Sequence, residues 1–283
     1  MPRSTDISPL SVLLGRVDAV SDGLPTRDTV PTGFPSLDKV LAGGLRHGDL
    51  TVLGGDVSSG KSALALAFAI RAAQHDVRVA FLTAEATVER TLERVIAIEA
   101  RIRIDDLRQG TLDDTARANA GAAALRLRES LPIIERLSPG GCDAVSKQLA
   151  SLPQVDLVVV DSAIGMLAGK IPVEEEMATT IRCLKTLALD RDTAILATAP
   201  LPRLSDRPDR RPTLDDFGAL GTVKQLADVV LGLFRQDMYE PARDIEGATE
   251  LLIRKNRNGP TGYIDLYFYA QWMRFEDMLD PDR

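Results

Sequence analysis

Eight consecutive residues, Gly55-Asp-Val-Ser-Ser-Gly-Lys-Ser62, carry the spacing G-x-x-x-x-G-K-S. Glycines at the first and sixth positions let a backbone close around phosphate groups with its amides pointing at them. The lysine reaches the outer phosphates as a mobile point charge, and the hydroxyl beside it is a magnesium ligand. An apolar stretch at residues 50–53 precedes the loop and an alanine- and leucine-rich stretch at 61–74 follows it, which predicts strand, loop and helix in that order. A helix N-terminus adds partial positive charge where phosphates would sit, so the context favours a phosphate loop over a chance glycine-rich turn. Gly55, Ser58, Ser59, Gly60, Lys61, Ser62 and Ala63 therefore form the candidate nucleotide cradle, with Ser62 also a metal ligand. ATP with Mg2+ is the cofactor this pattern calls for.

Two carboxylates follow predicted strands. Asp161 ends the run Leu157-Val-Val-Val160, and Glu85 lies just past the strand at 77–83. Ligands of parallel sheets bind outside the carboxyl ends of the strands. Asp161 there can hold magnesium, usually through water; the alternative is an N-cap for the next segment. Glu85 can orient and deprotonate an attacking water, and it equally suits the first turn of the following helix, whose dipole favours acids. Lys255 and Arg257 sit in Arg254-Lys-Asn-Arg-Asn-Gly-Pro-Thr-Gly262, at the tip of a predicted hairpin. An arginine on a rigid hairpin can stabilise transition-state charge at a neighbour's phosphate, whereas a solvated basic tip is the simpler reading. The run Arg203-Leu-Ser-Asp-Arg-Pro-Asp-Arg210-Arg211-Pro212 is either a solvated loop or one that touches nucleic-acid phosphates. His47 and His75 are isolated and receive no metal role.

To converge, these residues need an alternating frame. Strands are predicted at 50–53, 77–83, 133–137, 157–160 and 194–199, and helices at 61–74, 113–130 and 174–189. That pattern is an α/β fold with a mostly parallel central sheet and helices on both faces. Beyond Ala227, strands at 228–234, 250–255 and 263–269 with a turn at 258–262 give a C-terminal β-hairpin. Its aromatics, Tyr263, Tyr267, Phe268, Tyr269, Trp272 and Phe275, are read as sheet packing rather than as a base-stacking platform. Leu10, Leu13, Leu14, Val17 and Val20 form a short helical stripe, suited to packing on its own core or docking on a neighbour. Residues 1–28 are expected to be a tail with a short linker helix, and 29–283 one ATPase domain.

Composition bounds the partners. With 41 acidic against 34 basic residues, no global positive field draws the chain to nucleic acid, so any such contact must be local. Two cysteines, Cys142 and Cys183, are too few for a disulfide framework and wrong for a four-ligand zinc site, which fits a reducing compartment. No stretch approaches about 18 clean apolar residues, and the start MPRSTDISPL lacks the pattern of a secretory signal. No membrane partner is expected, and the expected location is cytoplasmic.

In this order the motifs resemble the C-terminal motor domain of DnaB-type replicative helicases, from about Val30 to Asp277. The lead-in Val30-Pro-Thr-Gly-Phe-Pro-Ser-Leu-Asp38, then Gly43-Gly-Leu45 and Gly48-Asp-Leu50, is similar to that family's approach to its phosphate loop. Arg211-Pro-Thr-Leu-Asp-Asp216, Ala227-Asp-Val-Val230 and Lys255-Asn-Arg-Asn-Gly-Pro-Thr-Gly262 resemble its final motifs. The resemblance implies a RecA-like P-loop NTPase and a homo-oligomeric, hexameric ring that translocates on or unwinds single-stranded DNA. It also implies Glu85 as base, Asp161 as magnesium residue, and Lys255 and Arg257 acting in trans on the neighbour's ATP.

Three features depart from the family. A Ser-Gln pair that senses nucleotide is replaced by Ala199-Pro200, whose side chains neither donate nor accept. An Arg-Glu-Ser-Gly stretch that touches DNA is replaced by Gly218-Ala-Leu-Gly221, leaving backbone amides for phosphate. The family's N-terminal helical collar has no counterpart in the roughly thirty residues before the motor. Candidate DNA contacts are Arg203, Arg210, Arg211, Gly218 and Gly221. Two other readings stand: a RadA-like recombination ATPase, which Leu53-Gly-Gly-Asp56 and Asp161-Ser162 also resemble, and a nucleotide-dependent switch or scaffold that has lost translocation.

Overall fold

A strand that is apolar on both sides of its backbone must be covered on two faces. The runs at Leu50–Gly55, Val79–Thr83 and Leu157–Asp161 are buried at every position, and Ala194–Pro200 and Val229–Arg235 at all but the last. The computed structural model describes residues 9–21, 28–202, 204, 207–240 and 245–278. Its first half runs α1 (Pro9–Ser21), β1 (Thr29–Val30), α2 (Pro35–Val40), β2 (Leu45–Arg46), β3 (Leu50–Gly55), α3 (Lys61–Gln74), β4 (Val79–Thr83), α4 (Val88–Ala100), α5 (Ile104–Gln109) and α6 (Asp114–Leu127). There follow β5 (Ile133–Arg136), α7 (Gly141–Ser151), β6 (Leu157–Asp161), α8 (Val173–Arg191), β7 (Ala194–Pro200), α9 (Thr222–Leu226), β8 (Val229–Arg235), β9 (Ala248–Asn256), β10 (Gly262–Tyr269) and β11 (Arg274–Asp277).

Nine strands form one sheet in the order β11-β10-β9-β8-β3-β7-β6-β4-β5. From β8 to β5 every pairing is parallel, and from β8 to β11 every pairing is antiparallel. One face is packed by α3, whose Leu64, Phe68 and Ile70 meet Phe34, Phe81, Leu196 and Phe275. The small residues of α3, Ala63, Ala65, Ala67, Ala69, Ala72 and Ala73, are all buried, which lets that helix lie close against the strands. The opposite face is packed by α7 and α8, with Val145, Leu149, Ile181 and Leu184 against Leu50, Val52, Val158 and Val160. The expected α/β frame with helices on both faces is the observed one.

The C-terminal hairpin is joined by a further strand, β11, that the sequence pattern did not reveal. Its aromatics pack on one another: Phe268 on Phe275 at 4.4 Å between centroids and Tyr269 on Trp272 at 5.1 Å. Cys142 on α7 and Cys183 on α8 form a disulfide across 41 residues of chain, which corrects the expectation of two unpaired thiols suited to a reducing compartment: packing of α7 on α8 brings the two side chains together. Among the described residues no helix is long and apolar enough to cross a membrane.

One polar interaction stitches α8 to the sheet. Asp228, 3% exposed, accepts from the Leu50 backbone N–H at 2.8 Å and from Lys185 Nζ at 2.6 Å. Asp228→Ala strands the buried Leu50 amide and takes one of its acceptors from the mostly buried Lys185 ammonium, which keeps the Gly48 carbonyl, so unfolding in urea should show a loss of about 1–3 kcal/mol. A loss below about 1 kcal/mol would show that the pair contributes nothing net.

Candidate active site

The phosphate loop follows β3, whose last residue, Gly55, pairs with Pro200 at the end of β7 and with Leu233 near the end of β8, so the chain turns over the carboxyl edge of the sheet. Its backbone is shaped by Gly60, the residue before α3, at φ 100°, where a side chain is strained and a Cβ would lie 2.9 Å from the Phe275 ring. Ser58 also adopts positive φ, at 65°. Gly55 is a glycine for another reason: a Cβ there would meet Ser59 Oγ at 2.7 Å.

Parallel register places the catalytic candidates along one edge. Thr83 lies opposite Asp161, and Gly55 opposite Pro200. Ser62 Oγ donates to Asp161 Oδ1 at 2.9 Å, and Thr198 Oγ1, on β7, donates to the same oxygen at 2.7 Å. Asp161 is 3% exposed; burial pushes its carboxyl above the usual range, and the hydrogen bonds from Thr198 and Ser62 oppose that rise. Glu85 accepts from Ser162 Oγ. Lys61 Nζ donates to the Asp56 carbonyl at 2.9 Å; burial lowers its pKa, against the attraction of Asp161 and Glu85.

These groups line one cleft of about 500 Å³ with Ser58, Gly60, Ala63, Arg94, Thr198 and Pro200 around it. That size suits a nucleotide. The residues fit an anion with a divalent cation. Ser59 Oγ is buried without a partner beside the loop, Lys61 spends itself on a backbone carbonyl, and Ser62 and Asp161 already share an oxygen contact where an ion would be held. Among the described residues no cluster of three or more His, Cys, Asp or Glu could cage a metal, so the ion would keep water ligands, as magnesium does.

Three participants were missed in the sequence. Arg94 lines the cleft from α4, and its Nε is buried without a partner. The signal was available: Thr91, Val95 and Ile98 make the buried stripe of α4, and Arg94 stands at the helical spacing that belongs to that stripe. Thr198 gave no signal, being one more β-branched residue in a buried strand. Tyr239, beyond β8, donates to Asp56 Oδ2 at 2.9 Å; burial and that carboxylate push its phenol up to about 12.

Other candidates lie elsewhere. Lys255 and Arg257 do not reach this cleft; both fold onto α9 of their own chain. Arg211 makes a two-pronged pair with Glu250, at 2.7 and 2.6 Å, and Arg210 pairs with Glu240 at 3.2 Å. Gly218 and Gly221 flank a tight turn with φ of 55° and 76°. Arg203 lies outside the described residues. His75 Nδ1 donates to the Arg71 carbonyl at 2.9 Å, one turn back in the chain.

The sequence profile of the DnaB-like helicase C-terminal domain matches residues 29–277. The chain belongs to this family. A replicative DNA helicase DnaB from Leifsonia xyli subsp. xyli is 30% identical over 277 residues, covering 95% of this chain and 60% of the relative. A replicative DNA helicase DnaC from Bacillus subtilis is 29% identical over 259 residues, covering 88% and 56%. The chain thus spans less than two thirds of the length of these relatives. A solved ATPase domain superposes with a TM-score of 0.86 at 23% identity, covering 98% of this chain and 100% of that one. A DnaB-like replicative helicase, solved in a study of its interactions with primase, gives 0.83 at 21% identity, covering 97% and 67%. At these identities the superpositions establish the fold.

Thr198 Oγ1 donates to the same Asp161 oxygen as Ser62 Oγ, so it would still hold the carboxylate if Ser62 turned to a ligand. Thr198→Val should weaken nucleotide binding several-fold in magnesium and leave it unchanged in EDTA, with a stability loss of about 1 kcal/mol. Fluorescent-nucleotide titration reads both; equal weakening in the two conditions would mean a general distortion of the cleft.

Proposed function

We propose that the chain hydrolyses Mg-ATP and, as a ring of identical subunits, drives movement on or unwinding of single-stranded DNA. The observation that carries this reading is the convergence of Lys61, Ser62, Asp161 and Glu85 on one cleft at the carboxyl edge of the sheet. The loop amides around Gly60, with Lys61, would hold the triphosphate; Ser62 and Asp161 would hold magnesium. The ion, when bound, neutralises charge on the phosphate being transferred. Glu85 orients the attacking water and takes its proton, with Ser162 fixing the carboxylate through its hydroxyl. Arg94 supplies positive charge from the same subunit.

The ring is hexameric in this reading, with Lys255 and Arg257 of one subunit completing the site of the next. The division into a tail and linker helix at 1–28 and a motor at 29–283 follows from it. Leu13 and Leu14 on α1 are 55% and 54% exposed, an apolar pair suited to docking on a neighbouring copy. The names of the relatives support DNA as the track and favour a helicase over a recombination ATPase. In this reading the protein works in the cytoplasm. A second reading, a nucleotide-driven switch without translocation, draws on Pro200 lining the cleft and on the cis pairing of Arg210 and Arg211.

Lys61→Ala should reduce magnesium-dependent ATP hydrolysis at least about a hundredfold; an unchanged rate would sink the proposal. Mixing Arg257→Ala with Glu85→Gln subunits should restore part of the activity if sites are shared, and no recovery at any ratio excludes the trans arrangement. Stimulation of hydrolysis by single-stranded DNA, with unwinding of a forked duplex, selects the helicase. Hydrolysis with neither selects the switch.

A further inference from the structure

Lys255 Nζ donates to three carbonyls of its own chain: Lys224 at 2.8 Å, Gln225 at 3.3 Å and Ala227 at 2.5 Å. Arg257 donates to the Gln225 carbonyl through Nη2, and its Nη1 lies 3.3 Å from Asp228. The acceptors belong to the end of α9 and the residue after it. The last carbonyls of a helix lack partners within it, and in a five-residue helix such as α9 nearly every carbonyl is in that position. Cations suit that end of a helix dipole. An ammonium has three N–H donors and no more, and all three of Lys255 are used here. Lys255 therefore cannot cap α9 and hold a phosphate at the same time.

α9 begins directly after Gly221. The four residues before it, Gly218, Ala219, Leu220 and Gly221, all have positive φ, at 55°, 53°, 52° and 76°. Two of them carry a side chain, and a non-glycine residue persists in that region only where its surroundings hold it. The Glu174 carboxylate accepts from the Leu220 N–H at 3.4 Å on one side, and the capped α9 anchors the other.

We propose that Lys255, assisted by Arg257, is a two-position latch. With no nucleotide on the neighbouring subunit it caps α9 and holds the turn 218–221 in place. Reaching the neighbour's triphosphate withdraws the cap, and α9 and the turn loosen. The proposal rests on the trans reading above and gives it a route to the DNA-facing turn that bypasses Ala199 and Pro200. Because the two positions exclude one another, the coupling is reciprocal: whatever stabilises capped α9 weakens engagement of the neighbour's nucleotide.

Hydrogen exchange over residues 222–228, which includes the Ala227 amide bonded to the Val223 carbonyl, reads the cap directly. The assembled protein is compared without nucleotide and with magnesium and a non-hydrolysable ATP analogue. Wild-type exchange here should quicken about tenfold with the analogue. Lys255→Gln should exchange fast without nucleotide and change no further with it. Lys255→Arg, which restores donors and charge, should return to slow exchange, separating capping from misfolding. Slow exchange in nucleotide-free Lys255→Gln overturns the latch. So does wild-type exchange that ignores the analogue while mixed Arg257→Ala and Glu85→Gln subunits recover activity, a result that leaves the shared site standing. Failure of that recovery removes the shared site itself, and the second position of the latch with it.

Discussion

Asp161 Oδ1 receives two hydroxyl hydrogens, one from the first turn of α3 and one from the middle of β7. A carboxylate buried on a sheet edge needs such donors, because an ionised group without them costs several kcal/mol. Supplying them fixes the distance between a helix and two strands that are far apart in sequence. The same contact depends on register. β6 is buried on both faces, so a slip of one residue would turn Asp161 away from the loop and into apolar packing. The cleft is therefore a consequence of how four parallel strands align at their carboxyl ends, and the loop between Gly55 and Ser62 is the part of it that a sequence motif records.

Charge in the cleft is arranged so that a ligand relieves what burial imposes. Desolvation raises the Asp161 carboxyl and lowers the Lys61 ammonium, each towards neutrality. A polyanion with a divalent cation would present to each the opposite charge and so favour its ionised form.

How much of this was legible depended on whether a feature repeats locally. The helix at 61–74 and the strands around it were readable because helix and strand periods show in short windows. α4 and α7 were not, since Arg94 interrupts the apolar stripe of the first and Gly140 and Gly141 open the second. Asp161 and Glu85 stood out as carboxylates at strand ends, although for Glu85 position alone left a first-turn acid on equal terms with a base. Thr198 was invisible, because only tertiary pairing sets its hydroxyl against a carboxylate 37 residues away. Lys255 and Arg257 were placed at the correct turn, but no pattern in the hairpin could reveal that a five-residue helix, 28 or more residues earlier, offers them carbonyls.

Ala199 and Pro200 remove side-chain hydrogen bonding from the end of β7, yet the cleft is not isolated from the basic segment that follows. Pro200 pairs in register with Gly55, and the next residue, Leu201, donates to the Gly55 carbonyl at 3.1 Å, so backbone continuity between strand and loop is kept. A second connection runs through Asp56. Its carbonyl takes Lys61 and its carboxylate takes the Tyr239 phenol, while the Arg210 guanidinium lies 5.2 Å from the Tyr239 ring centroid. A movement of Lys61 from that carbonyl to a phosphate would change the residue that anchors Tyr239, and hence the surface on which Arg210 rests. Rigid aromatic and bonded contacts transmit such shifts because packed groups have few alternative positions. The chain thus carries a polar contact on the other side of β3, between the phosphate loop and the segment after β8, where the end of β7 offers none through its side chains.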